Sequence, residues 1–237
     1  MTDDNTGEKR TEEPPPKEIP QTETTDARGA PAWRGVELPG WPVALRGITE
    51  SIVTTRGPDD RWNVAVLGLH APDIEETENQ RGAADLQVTA RTWGRTRTWR
   101  NFRERGTGYV QFVEDPLVFV DGALGIREQE HPVLDDAYAW VEVSVERRDS
   151  GTDGGTDWVE WKLVPHDSGI IRTVVPTFNR GYAAVVEATV AASRLDVDAY
   201  DSDVLWDRIE YFELVTHRCG GPREREAFDR LRELIEE

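Results

Sequence analysis

The sequence predicts an α+β protein, a six-stranded antiparallel β-barrel followed by a C-terminal helical lobe. Three observations carry that prediction. Between Ile48 and Pro165 the chain divides into six short runs rich in β-branched and aromatic residues, separated by turn-forming Gly, Pro, Asp and Asn. After Pro176 the apolar spacing changes from two residues to three or four, the period of a helix. Residues 1–31 hold eight acids, four basic residues and five prolines with almost nothing apolar, so they cannot offset the entropy of ordering. The expected organisation is an acidic Pro-rich disordered tail over 1–31, a barrel over 32–176 and a helical lobe over 177–237 packed on it.

In order along the chain, Ile48 to Thr55 reads as a strand, Gly57-Pro58-Asp59-Asp60 as its turn and Trp62 to Leu69 as its antiparallel partner. Further strands are expected over Asp85 to Thr92, Gly108 to Glu114, Tyr138 to Arg147 and Asp157 to Pro165. Ala139, Val141, Val143 and Val145 alternate onto one face of the fifth. Asp149 to Asp157, with Gly151, Gly154 and Gly155, reads as the solvated turn joining the last two strands. Helices are expected over Phe178 to Leu195, with a Tyr182, Val186 and Val190 stripe, and over Ser202 to His217, with Leu205, Ile209 and Phe212. Gly220-Gly221 ends the second. Pro222 opens a third, running to Glu236 on a face of Ala227, Phe228, Leu231, Leu234 and Ile235.

Composition bounds the function. The 237 residues carry 46 acidic and 28 basic side chains, a net charge of -18, which argues against a general nucleic-acid binder. Lysine occurs only at Lys9, Lys17 and Lys162, and every other basic residue is Arg. Carboxylate surface with few lysine stems suits the cytoplasm of a high-salt cell; an ordinary acidic protein is the alternative. One Cys, Cys219, leaves no disulfide framework and no multi-cysteine metal site. No apolar run approaches the roughly 18 to 20 residues of a membrane span, so a cytoplasmic protein is expected.

The window from Arg91 to Arg105 holds six Arg and one acid, against the trend of the whole chain. Such a cluster asks for an anion. Thr96, Thr98 and Asn101 add small hydrogen-bonding groups, and Trp99 to Arg105 reads as helical turns whose free N–H groups favour a phosphate. The competing explanation is that these arginines pair with the protein's own carboxylates. Trp93 and Trp99 flank the cluster, either as stacking surfaces or as packing. Asn179-Arg180, with Glu187 two turns on, is either a cationic corner facing a ligand or a helix cap with an internal ion pair. His70, His131, His166 and His217 show no metal spacing; His70 and His166 follow strand ends, as general acids at a barrel mouth or as solvated loop residues.

Three segments in order, ITESIVTTRGPDDRWNVAVLGL, RTWGRTRTWRNFRERGTGYVQFVEDPLVF and FNRGYAAVVEATVAASRL, resemble the archaeal domain-of-unknown-function 447 family. The resemblance extends over about Gly47 to Glu237. It implies a split β-barrel binding flavin mononucleotide (FMN), related in fold to flavin reductases. It also implies a homodimer with flavin near the subunit interface, and a nicotinamide or other small redox substrate. Thr54 and Thr55, with Asn63, Val64 and Ala65, then fall beside the isoalloxazine ring, their backbone amides at its N5, O4 and O2 edges. Thr96, Arg97, Thr98 and Asn101 fall at the FMN phosphate, with Arg95 or Arg100 as further candidates. The Pro that often follows the second-strand Asn in flavin reductases is absent from Asn63-Val-Ala-Val-Leu-Gly68. The implied activity is an FMN-dependent oxidoreductase in which the flavin carries the redox chemistry; a non-catalytic flavin carrier is the alternative.

Overall fold

The computed structural model describes residues 38–72 and 87–236; the tail over 1–31 and the start of the third expected strand, Asp85 and Leu86, lie outside them. Strand β1 (Ile48–Arg56) and strand β2 (Trp62–His70) form a continuous hairpin in register from Ile48↔His70 to Arg56↔Trp62. Its turn closes through the Gly57 N–H on the Arg61 carbonyl at 2.8 Å, with Asp60 in the left-handed region at φ 65°, a conformation short polar side chains tolerate.

Strand β3 (Val88–Trp93), helix α1 (Arg97–Arg105) and strand β4 (Thr107–Phe112) follow. Helix α2 (Pro116–Leu124) and a three-residue strand β5 (Arg127–Gln129) come next, and neither was expected from the sequence. Strands β6 (Ala139–Asp153) and β7 (Thr156–Ile170) make a hairpin of 15 residues a side. The broad turn expected over Asp149 to Asp157 contracts to Gly154-Gly155, at φ 53° and 83°, the left-handed pair of a tight hairpin turn. The turn-side half of β6, Glu146–Asp153, is largely exposed and lacks apolar alternation, whereas β7 beside it keeps Val159, Trp161 and Leu163 alternating against the barrel core.

The ladders run β1-β4-β6-β7-β3-β2, and β2 returns to β1, closing a six-stranded antiparallel barrel as expected. The outer edge of β2 is divided. Strand β3 takes Leu69 and His70 at one end and β5 takes Trp62, Asn63 and Val64 at the other. Ala65 to Gly68 have no strand partner on that side among the described residues, and this is where the barrel splits.

Alternation sorts β2 between two cores. Leu67 and Leu69 point into the barrel with Val53, Val110, Val141, Trp161 and Leu163. Val64 and Ile52 point outward beneath Val118 and Phe119 of α2. The lobe consists of α3 (Arg180–Ala192), α4 (Ser202–Cys219) and α5 (Pro222–Glu236), and Val120 of α2 joins its core with Val185, Ile209 and Phe228. Helix α2 thus belongs to both cores.

The stripe expected on α3 is displaced. Tyr182, Val186 and Val190 are half-buried, whereas Ala184, Val185, Ala188 and Ala191 are fully buried. Small residues let α3 approach its neighbours closely; a Cβ on Gly181 would stand 2.3 Å from the Gly220 Cα. The α4 and α5 faces are those expected, with Leu205, Ile209, Ala227, Phe228 and Leu231 buried.

Candidate functional site

Helix α1 begins where β3 leaves the sheet. Gly94, in the left-handed region, turns the chain, and the Thr96 hydroxyl caps the helix by accepting from the Trp99 N–H at 3.2 Å. The Arg97 and Thr98 amides remain first-turn donors with no acceptor inside the helix. No acid lies in that first turn, and Arg103 and Arg105 sit in the last, so the helix dipole presents a positive N-terminus.

Beneath it, Asn101 is buried and its amide donates to the Thr55 hydroxyl at 2.9 Å and, more weakly, to the Thr55 carbonyl at 3.4 Å. Thr55 is opposite Asn63, and Asn63 is opposite Glu128 of β5. Glu128 holds Arg97 at 2.5 Å and stands 3.9 Å from Arg61. Thr54, Thr55, Asn63, Val64, Arg97, Thr98 and Asn101 therefore lie together at one end of the barrel.

Their availability differs. Thr54 is fully buried, donating to the Pro132 carbonyl and accepting from Gln111 at 3.1 Å, and Val64 is core. Asn63 and Val64 are flanked by β1 and β5, so Ala65 is the member of that trio whose outer strand edge is open. Asn101 serves as a bracket between α1 and β1.

The arginines divide in the same way. Arg91 pairs with Glu160 at 3.1 Å and stacks over Trp158 at 4.6 Å; Arg97 pairs with Glu128 and Arg103 with Glu104. Arg105 reaches the Gly57 carbonyl at 3.4 Å. Among the described residues, Arg95 and Arg100 have no carboxylate partner, and the Arg100 Nε is buried with no hydrogen-bond acceptor at all. A buried guanidinium nitrogen without an acceptor costs free energy unless an anion completes it. Self-pairing thus accounts for three of the six arginines and leaves a cationic surplus at the α1 N-terminus.

Asn179 and Arg180 lie elsewhere. The Asn179 side chain caps α3 by accepting from the Gly181 and Tyr182 amides, and it donates to Glu224 at 3.0 Å. Glu187 pairs with Arg208 of α4 at 3.6 Å. The adjoining cleft of about 630 Å³ is lined by Glu114, Asp115, Asp136 and Glu224 as well as Arg172 and Arg223. Tyr182 there is pushed up to about 12 by burial and by Glu114 and Glu50. That is a capped helix beside carboxylates, a poor place for an anion.

Glu128 is the participant sequence reasoning missed, because a three-residue strand has no periodicity to detect. His166 is exposed and His70 half-buried, and among the described residues no His, Cys, Asp and Glu group has metal-site geometry. No described helix is long and apolar enough to cross a membrane.

Residues 49–172 match the family model described as "Protein of unknown function (DUF447) N-terminal domain", and residues 179–233 match "Protein of unknown function (DUF447)". Among solved structures, the chain is similar to an FMN-bound protein of that family from Methanosarcina mazei, with 25% identity over 80% of this chain and 96% of that one and a TM-score of 0.65. More distant likenesses include component B of nitrilotriacetate monooxygenase from Bacillus cereus (16% identity, 64% of this chain and 80% of that one, TM-score 0.38). Another is the flavin reductase HpaC complexed with NADP+ (16% identity, 54% and 81%, TM-score 0.33).

Proposed function

The chain belongs to the DUF447 family, and from that premise we propose that it is an FMN-binding flavoprotein with a flavin reductase-like oxidoreductase activity. The observation that carries the proposal is the cationic N-terminus of α1, where among the described residues the Arg100 Nε has no acceptor and Arg95 no carboxylate. The FMN-bound state of the Methanosarcina mazei relative, similar over most of both chains, supports the choice of anion.

In this reading the Arg97 and Thr98 amides, the Thr96 and Thr98 hydroxyls and the Arg95 and Arg100 guanidinium groups hold the phosphate. Asn101 fixes α1 to Thr55 and so sets the distance between phosphate and barrel. The ring lies toward Thr55, Asn63 and Ala65, of which Ala65 offers an open strand edge. Bound there, FMN supplies hydride and single-electron chemistry; the protein's part is grip, orientation and exclusion of water. Asn179 and Arg180 take no part. We further propose a cytoplasmic homodimer with a nicotinamide or other small redox donor, from an archaeon as the family resemblance implies and a halophilic one as the acidic, lysine-poor composition suggests.

Titration of the purified protein with FMN, followed by flavin fluorescence, tests the binding; saturable one-to-one quenching is expected, and a protein that is colourless and takes up no FMN refutes it. Anaerobic mixing of the loaded protein with NADH or NADPH tests the activity. Bleaching of the flavin absorbance at catalytic rates is expected, and no reduction by either leaves a flavin carrier in its place.

A further inference from the structure

A second cavity, of about 600 Å³, opens where β2 and β3 part. Its volume is in the range of small-molecule sites. One wall is the unpartnered edge of β2 at Val66 to Gly68, and the facing wall is Arg91 and Trp93 of β3. The lobe closes it from above with Val190 and Arg194 at the end of α3, and Val197 and Tyr200 in the segment before α4. The roof is joined at Gly154 of the β6–β7 turn, where a Cβ would lie 2.2 Å from the Ala199 Cβ. Barrel and lobe are both needed to make this enclosure.

We infer that this cavity binds a planar aromatic monocarboxylate, its ring against Trp93 and Tyr200 and its carboxylate on Arg194. Each ring is 44% exposed although both line an enclosure, a combination that leaves aromatic faces available to a flat ligand. Val66, Val190 and Val197 provide an apolar surround. The charge follows from the partners of the two guanidinium groups. Arg91 is committed to Glu160 at 3.1 Å. Arg194 stacks over the Tyr200 ring at 5.2 Å and, among the described residues, forms no carboxylate pair within 4.0 Å.

Two further groups limit the ligand to a single negative charge. Asp153 lies on the hairpin side of the cavity and repels a second carboxylate. Glu50, an exposed residue of β1, also lines the cavity, its carboxyl raised by partial desolvation and by Glu187 against the opposing effect of Arg194, and it adds a second acid there. His70 also lines the cavity, and burial and the nearby Arg91 both lower its pKa, which disfavours a second cation there. None of these residues belongs to the proposed phosphate site, so the inference stands or falls separately from FMN binding.

Calorimetric titration of the full chain with 1-naphthoate and its neutral isostere 1-naphthamide tests it. One-to-one binding of the acid is expected, with the amide at least tenfold weaker. Arg194→Ala should weaken 1-naphthoate at least tenfold while FMN affinity and melting temperature are unchanged, and Arg194→Lys should recover part of the loss. If the alanine variant fails to fold, Tyr200→Leu, on the exposed segment before α4, should give a several-fold loss instead. Equal affinity for acid and amide, binding unaffected by both substitutions, or no binding by the acid overturns the inference. Loss of 1-naphthoate binding on saturation with FMN also overturns it, because the cavity would then belong to the cofactor ring.

Discussion

Two short arginine-rich helices of this molecule handle their charge in opposite ways. In α5, Arg223 meets Asp115 at 2.6 Å and Glu226 at 2.8 Å, Arg230 meets Asp121 and Glu233 at 3.1 and 3.0 Å, and Arg232 pairs with Glu213. At the start of α1, Arg95 just before the cap and Arg100 within the helix meet no carboxylate among the described residues. The difference arises from what each helix packs against. Helix α5 lies on α2 and α4, which bring Asp115, Asp121 and Glu213 to it; among the described residues, the start of α1 has Glu128 of β5 alone, which Arg97 takes. A run of cations becomes a candidate binding site only where the fold withholds carboxylates from it.

The largest effect predicted from this contrast is on ligand affinity. Replacing Arg95 and Arg100 together with Ala should weaken FMN binding by on the order of 2 to 4 kcal/mol, measured by fluorescence titration, with little change in melting temperature. Unchanged affinity would place the phosphate away from α1. The same kind of change on the α5 side should act on stability instead. Asp115 caps α2 through the Leu117 amide at 2.9 Å as well as holding Arg223. Asp115→Ala should therefore cost about 1 to 2 kcal/mol in urea unfolding and leave FMN affinity alone.

Acid sharpens the distinction. Burial raises the Asp115 carboxyl, but the hydrogen bonds from Arg223 and the Leu117 amide outweigh it and hold the group below its ordinary 3.8. A carboxyl lowered by folding adds stability that is complete above the unfolded value and is lost as pH falls through the folded one. The stability gap between the native protein and Asp115→Asn should accordingly be full at pH 6 and shrink below about 3.8. A gap independent of pH would show that the cap does not rest on the charge.

The smallest effect is expected at the one paired arginine of the α1 N-terminus. Glu128→Gln releases Arg97 and should tighten FMN by a few-fold at most, corresponding to an exposed ion pair of ~0.2 to 1 kcal/mol. Weaker binding would instead show that Glu128 positions Arg97 for the phosphate.

Much of this was legible in local pattern. The β1–β2 hairpin and its turn follow from alternation around Gly57-Pro58-Asp59-Asp60, and the lobe helices follow from their period and from Gly220-Gly221-Pro222. Helix α2 was missed although Asp115-Pro116 is a cap followed by a first-turn proline, because the apolar run after it has no clear face: it is buried on two sides, against barrel and lobe. Displacement of the α3 stripe has a similar cause, since three neighbours compete for that helix and close approach favours Ala over Val. The cationic window was visible because charge composition is local. Which arginines stay free was not, because the carboxylates that decide it lie 31 residues away for Arg97 and 108 for Arg223.

The sequence by itself determined the barrel strands, the helical lobe and the stretch where positive charge collects, since period, turn chemistry and composition act over a few residues. Tertiary structure decided the rest. It divided the outer edge of β2 between β3 and β5, left the Arg100 Nε without an acceptor, converted Asn179 into a cap, and joined barrel to lobe over a cavity that neither encloses alone. Each of these depends on which distant groups folding brings within hydrogen-bonding distance, and a one-dimensional pattern carries no such distances.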